Sequence, residues 1–149
     1  ISLRLRLPNI AYATSSGQFI QSQLREVGIE TVIDELEFPT WIEQVLVNGD
    51  YDMTIVAHVE MRDIGKFADP TYYWHYDNST FQELVAQADT GTPEEQIEYL
   101  TEAARLLAED AAANWLFLLP NLILTKANIS GVPENATSLS FDLTGVAAG

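Results

Sequence analysis

Residues 2–7 alternate strictly, with Leu3, Leu5 and Leu7 on one side and Ser2, Arg4 and Arg6 on the other. That period of two predicts a half-buried strand, and Pro8 and Asn9 end it. Thr14, Ser15 and Ser16 then offer capping hydroxyls ahead of a helical pattern carried by Phe19, Ile20, Leu24 and Val27. Gly28 closes that helix, because glycine enters the left-handed region at little cost. Residues 29–36 read as a strand with Ile29, Thr31 and Ile33 on one face. Strand, helix, strand is a βαβ pattern, which predicts a parallel pair joined by a right-handed crossover.

Pro39 and Thr40 open another helix carrying Trp41, Ile42, Val45 and Leu46, closed by Asn48 and Gly49. Residues 51–59 read as a third strand. Their nearly continuous apolar run at 53–57 predicts a central strand covered on both faces. Periodicity then lapses over 60–78, where Phe67, Tyr72, Tyr73, Trp74 and Tyr76 crowd together. Irregular segments of this length in compact domains are often functional. Ser79 or Thr80 caps a short helix ending near Gly91, and Thr92, Pro93, Glu94 and Glu95 start a longer one. Its stripe of Ile97, Leu100, Ala104, Leu107, Ala108 and Ala111 predicts docking on the sheet. Residues 115–126 predict one or two strands around Pro120, with Trp115 in the core. After Gly131 come turns and short strands. No repeat, low-complexity tract or internal boundary appears, so 1–149 reads as a single α/β domain.

The 47% apolar content is enough for a sizeable core. No run of eighteen apolar residues exists to cross a membrane as a helix. The absence of cysteine excludes disulfides and thiolate metal sites. Acidic residues outnumber basic ones 22 to 7, a net charge of −15, which disfavours nucleic acid and anionic membrane surfaces. Such a balance suits the solvated surface of a secreted or high-salt protein, or an acidic site for a cationic ligand. The opening at Ile1, without methionine or leader, is expected of a processed precursor or a piece of a larger protein.

Catalysis finds little support. A secreted acidic hydrolase of the glycosidase kind needs two carboxylates facing each other, about 5 Å apart for retention. The visible pairs, Asp50 with Asp52 and Glu109 with Asp110, lie too close in sequence for that arrangement. Only His58 and His75 could serve as imidazole bases, and no G-x-S-x-G elbow is present. His58 and His75 with Glu60 or Asp77 lack helical metal-ligand spacing. No catalytic residue, metal or cofactor is therefore assigned. A second alternative, an extracellular interaction module, draws on three N-x-[ST] sequons at Asn78, Asn128 and Asn135.

Taken in order, several segments resemble one family. Residues 19–29, reading FIQSQLREVGI, are similar to a helix and turn into a strand. Thr40 and Trp41 followed by Asn48-Gly49-Asp50-Tyr51-Asp52-Met53 resemble a helix-to-strand unit. Asp69-Pro70 with Tyr72, Tyr73, Phe81 and 84–88 look like an aromatic loop and its helix. Residues 93–110, Trp115-Leu116-Phe117, and Ile129-Ser130-Gly131-Val132 with Asn135 complete the set. The whole resembles the C-terminal lobe (lobe II) of bacterial peptide/nickel-type extracellular solute-binding proteins of ABC importers. The resemblance runs from Leu3 to about Gly145.

That resemblance implies a type II periplasmic-binding-protein-like α/β fold, a mixed sheet flanked by helices, with the other lobe outside this chain. It implies a receptor rather than an enzyme. Its partners would be an oligopeptide or other small solute, the transmembrane subunits of an ABC permease, and the N-terminal lobe of the same protein. Its place would be extracytoplasmic, in a periplasm or as a cell-surface lipoprotein. The family anchors a peptide's amino terminus with an aspartate in the loop after the third strand, usually beside a tryptophan. Here His58 stands where the tryptophan is common, and the aspartate position falls near Met61, so Glu60 or Asp63 supplies the charge instead, with Arg62 between them. Charge pairing in a closed, dry cleft outweighs the same pairing in open water. Trp41 either borders the ligand or anchors helix to sheet. Tyr72, Tyr73 and Trp74 form either a pocket wall or a small core that pins the loop.

Overall fold

In the computed structural model, residues 1–59, 62–120, 122–134 and 142–149 are described. They group into two compact units, 1–57 with 69–77, and 58–68 with 78–149.

The first unit opens with β1 (Ser2–Pro8), α1 (Ala11–Glu26) and β2 (Glu30–Leu36). β1 and β2 pair in parallel, with Leu5 opposite Ile33 and Arg6 opposite Asp34. The chain continues through α2 (Phe38–Trp41), which widens into a π-helical turn at Ile42–Val47, to the short β3 (Met53–Thr54). The sheet order is β2-β1-β3, all parallel. Leu5 and Leu7 are buried with Ala13, and Tyr12, Ile33, Met53 and Ile55 pack around them.

The face α1 turns inward differs from the one its large residues suggest. Its buried residues are Ala13 and Gly17, with Ile20 and Leu24 half-buried, while Phe19 and Val27 are exposed. Small residues face the strand because the helix lies close to it. A Cβ on Gly17 would sit 2.3 Å from Leu7 Cδ1. The helix also begins earlier than its hydroxyls suggest. Ile10 is the cap, without a side-chain bond, and Thr14 Oγ1 donates back to the Ile10 carbonyl at 3.3 Å. Gly28 does take a positive φ of 81° after the helix end.

β3 is far shorter than the run at 51–59 and lies at the edge of the described sheet; the central strand is β1. Side chains extend its attachment to β1 at both ends. Asp52 Oδ2 accepts the Arg4 backbone N–H at 2.7 Å, and Thr54 Oγ1 donates to the Arg6 carbonyl at 2.7 Å.

In the second unit a 3₁₀ turn (Asp63–Ala68) packs on α3 (Ser79–Thr90), and α4 (Pro93–Glu109) packs on α3. Asn78, rather than Ser79 or Thr80, caps α3, its Oδ1 accepting the Phe81 N–H at 3.1 Å. Thr92 and Glu95 form a reciprocal capping box that starts α4. The buried stripe of α4 is Ala103 and Leu107 with Leu100 half-buried; Ile97, Ala104 and Ala108 are exposed. β4 (Ile129–Ser130) and β5 (Ala147–Ala148) form an antiparallel pair.

The strands expected over 115–126 do not form among the described residues, and Trp115 is 62% exposed rather than a core residue. A strand apolar on both faces needs neighbours at both edges, and the described chain supplies none there.

Gly17→Ala tests the close seat of α1 on β1. Leu7 is fully buried, so its methyl has little room to yield. Overpacking of this kind costs roughly 1–3 kcal/mol, and denaturant unfolding should show that loss. An unchanged midpoint would contradict the packing.

Candidate functional site

The first unit brings together four of the eight residues that the sequence singles out. Trp41, Val45 and Tyr73 form a buried cluster, with Leu36, Tyr51, Val56, Tyr72 and Trp74 packed around it. Ring centroids lie 4.5 Å apart for Tyr72 and Trp74, 4.9 Å for Tyr73 and Trp74, and 5.0 Å for Tyr72 and Tyr73. Trp41 meets Tyr73 edge-on at 6.3 Å and stacks on Phe38 at 5.7 Å. These separations fall in the attractive range for aromatic pairs, where tilted and edge-on geometries avoid facing like π-clouds.

The members of this cluster differ in accessibility. Trp41 is 1% exposed, and its Nε1 donates to Thr54 Oγ1 at 3.0 Å. It is placed to join α2 to the sheet edge. Tyr73 is also buried, and its carbonyl accepts the Tyr51 hydroxyl at 2.6 Å. Burial raises the Tyr51 phenol above its ordinary value, so it remains a donor through the neutral range. Tyr72 and Trp74 are half-buried, with the Trp74 indole nitrogen buried. Next to them His75 takes a positive φ of 49°, and the Cβ that Gly49 lacks would fall 2.8 Å from His75 Nε2.

His58, Arg62 and Asp63 belong to the second unit, and Glu60 lies outside the described residues. His58 is half-buried. Arg62 adopts a positive φ of 60° and pairs with Asp89 at 2.7 Å, an exposed ion pair of modest worth. Asp63 opens the 3₁₀ turn, with its Oδ1 buried and lacking a hydrogen-bond partner among the described residues. A carboxylate oxygen in that state is costly unless a donor reaches it.

The sequence treats Arg4 and Arg6 as a solvent-facing row, yet they anchor a charge network. Arg4 Nη2 contacts Asp50 at 2.8 Å, and its Nε lies 3.8 Å from Asp52. Arg6 Nη1 donates to Gln44 and to Asp50, both at 2.9 Å. Its Nε sits 3.1 Å from Asp34 Oδ2, an ion-pair contact whose angle falls short of a hydrogen bond. The hydrogen bond from Arg4 holds Asp50 below the usual carboxylate range and raises the guanidinium in turn. The signal available beforehand was two arginines two positions apart, beside a strand with Asp34 in register.

The carboxylates considered for hydrolysis are thus engaged elsewhere. Asp50 and Asp52 hold Arg4; Glu109 pairs with Arg105, and Asp110 accepts from Asn78 Nδ2 at 2.8 Å. That last bond also occupies the amide nitrogen of the first sequon, and Asn128 Nδ2 donates to the Gly149 carbonyl at 3.2 Å. Asn135 lies outside the described residues. Among the described residues no group of three His, Asp or Glu side chains is placed to hold a metal ion. No described helix is long and apolar enough to cross a membrane.

Solved structures that share this fold include two binding proteins. The oligopeptide-binding protein AppA from Bacillus subtilis, solved in complex with a nonapeptide, superposes with a TM-score of 0.67 at 20% identity. The ABC transporter-associated periplasmic binding protein DppA from Helicobacter pylori, in complex with the peptide STSA, gives 0.57 at 20% identity. Each match covers 74% of this chain and 24% of the other, so the chain spans about a quarter of their length. No family model and no curated protein matches the sequence. The α/β fold, a parallel sheet flanked by helices, is that of these binding proteins.

Asp50→Asn tests the charge network through pH. The folded state holds Asp50 depressed, so the unfolded chain binds its proton more readily and stability rises with pH. The wild-type advantage over the variant in melting temperature should be full above the ordinary aspartate value of about 3.9. It should fade as pH drops below that value, through the depressed folded one. A difference that stays constant across that window would contradict the pairing.

Proposed function

We propose that this chain is the second lobe of an extracytoplasmic solute-binding protein of the ABC-importer type, a receptor for a short peptide or similar small solute. The observation that carries the reading is the fold shared over 74% of the chain with two proteins solved with peptides bound. The aromatic cluster supports it. Half-buried Tyr72 and Trp74 pack on a buried base of Trp41 and Tyr73. A rigid aromatic wall gives a ligand large contact area at small entropic cost.

In this reading the solute is held between this lobe and a second one, and its binding energy shifts an open–closed equilibrium toward closure. Tyr72 and Trp74 pack against the solute's apolar parts, while Trp41 and Tyr73 hold that wall rigid. Separately, in the second unit, His58, Arg62 and Asp63 are candidates for polar and charged contacts to a solute, as is Glu60 from its place in the sequence. The buried oxygen of Asp63 is suited to a cationic group, because a donor there relieves an uncompensated desolvation. Delivery to a membrane permease and anchoring as a bacterial lipoprotein belong to the same proposal. The carboxylates considered for catalysis are engaged in ion pairs and a helix-end bond, which favours binding over hydrolysis.

The test is a thermal-shift screen of the whole gene product against short peptides, oligosaccharides and metal chelates. A ligand bound only by the folded state stabilises it by about 2.7 kcal/mol at a hundred times its Kd. One solute class should raise the melting temperature, and no shift with any class would overturn the reading. Trp74→Ala should then weaken binding of that solute by roughly five- to tenfold, the order expected for one aromatic contact of about 1–1.4 kcal/mol. Undiminished affinity would remove Trp74 from the wall.

A further inference from the structure

The indole N–H of Trp41 is satisfied by one hydroxyl, and that hydroxyl is itself tied to the backbone of the central strand. Thr54 of β3 stands opposite Arg6 of β1. Its Oγ1 donates to the Arg6 carbonyl at 2.7 Å and accepts the Trp41 Nε1–H at 3.0 Å. A threonine hydroxyl carries one proton and two lone pairs, so it holds both bonds at once. Branching at Cβ restricts the side-chain rotamers and fixes the direction of the oxygen. Two bonds joined head to tail through one oxygen polarise each other, which strengthens both.

Thr54 is not a member of the aromatic cluster, yet it reaches the cluster through Trp41. That side chain is fully buried, so an indole N–H deprived of its acceptor is left desolvated and the ring must shift to find another partner. The ring meets Tyr73 edge-on, and Tyr73 lies 5.0 Å from Tyr72 and 4.9 Å from Trp74. Close-packed side chains pass such a displacement on. Arg6 gives the hydroxyl a fixed point. Its guanidinium bonds Gln44, on the turn after Trp41, and Asp50, next to the Tyr51 whose hydroxyl holds the Tyr73 carbonyl. A plainer role for Thr54 is that of a β-branched residue suited to a pleated strand. Valine fills that role equally well, and lacks only the hydroxyl.

We propose that Thr54 is a positioning residue for solute binding: its hydroxyl, held on the β1 backbone, sets the place of Trp41 and through it that of Tyr72 and Trp74. Thr54 acts through Trp41 and not on the solute. The proposal rests on the solute-receptor reading for the contact that Tyr72 and Trp74 make with a solute. The placing of the wall stands on the geometry of this unit alone.

The experiment uses the whole gene product labelled with fluorotryptophan, its Trp41 and Trp74 fluorine resonances assigned through Trp41→Phe and Trp74→Phe. Without solute, Thr54→Val should move both resonances, and Thr54→Ser, which keeps the hydroxyl, should return both toward their wild-type positions. With the solute class found in the thermal-shift screen, Thr54→Val should weaken binding by about two- to tenfold, the span of one net hydrogen bond. Thr54→Ser should bind as the wild type does. A Trp74 resonance that stays in place in Thr54→Val would overturn the proposal, because the hydroxyl then does not reach the wall. So would unchanged affinity in that variant, or a Thr54→Ser protein that behaves like Thr54→Val, which would put the effect in the methyl group. The fluorine measurement needs no solute, so it decides the placing of the wall even where no solute class binds and the receptor reading falls.

Discussion

The first unit depends on the burial of Leu5 and Leu7 beneath α1. β1 is the middle strand, and its apolar row meets Ala13 and Gly17, which let the helix backbone come close. Burying two leucine side chains contributes about 1.5–3 kcal/mol each, and the close fit adds dispersion contacts. The opposite row of β1 does different work. Arg4 and Arg6 gather Asp34 from β2, Gln44 from the π-helical turn after α2, and Asp50 and Asp52 from the turn before β3. One strand thus organises an apolar contact and a charge network, and its alternation separates them.

That arrangement positions the aromatic cluster. Thr54 links the Arg6 carbonyl to the indole of Trp41, so the helix after β2 is tied to the edge of the sheet. Trp41 then supports Tyr73, and Tyr51 holds the Tyr73 carbonyl. The irregular segment carrying Tyr72, Tyr73 and Trp74 is therefore fixed from below, with half-buried faces left for contact. Under the proposed function, a wall built in this way would lose little freedom on contact with a solute, which is the energetic advantage of preorganisation.

Much of this was legible along the chain because it follows local rules. Strict alternation over Ser2 to Leu7, the helical stretch after it and the second strand give the βαβ unit directly. Thr92 and Glu95 announce their capping box by spacing alone. Hydropathy points to Phe19 and Val27 as the inward face of α1, whereas the close approach of the backbones selects Ala13 and Gly17. Asn78 took the cap from Ser79 and Thr80 through a bond pattern that neighbouring polar residues share. The arginine network joins residues far apart in sequence, where a pattern read along the chain has no view. The strand character of 115–124 is plain in its residues, but forming a strand needs partners, and no local signal supplies those. Among the site residues, the aromatic group was visible as a composition, while its division into buried base and half-buried members required the fold.

The central claim is that this fold holds a short peptide or similar solute. Native mass spectrometry of the whole gene product, incubated with a pool of short peptides, tests it most directly. The account predicts one added mass per protein, within the peptide range and lost on unfolding. A spectrum showing only the bare protein would contradict it.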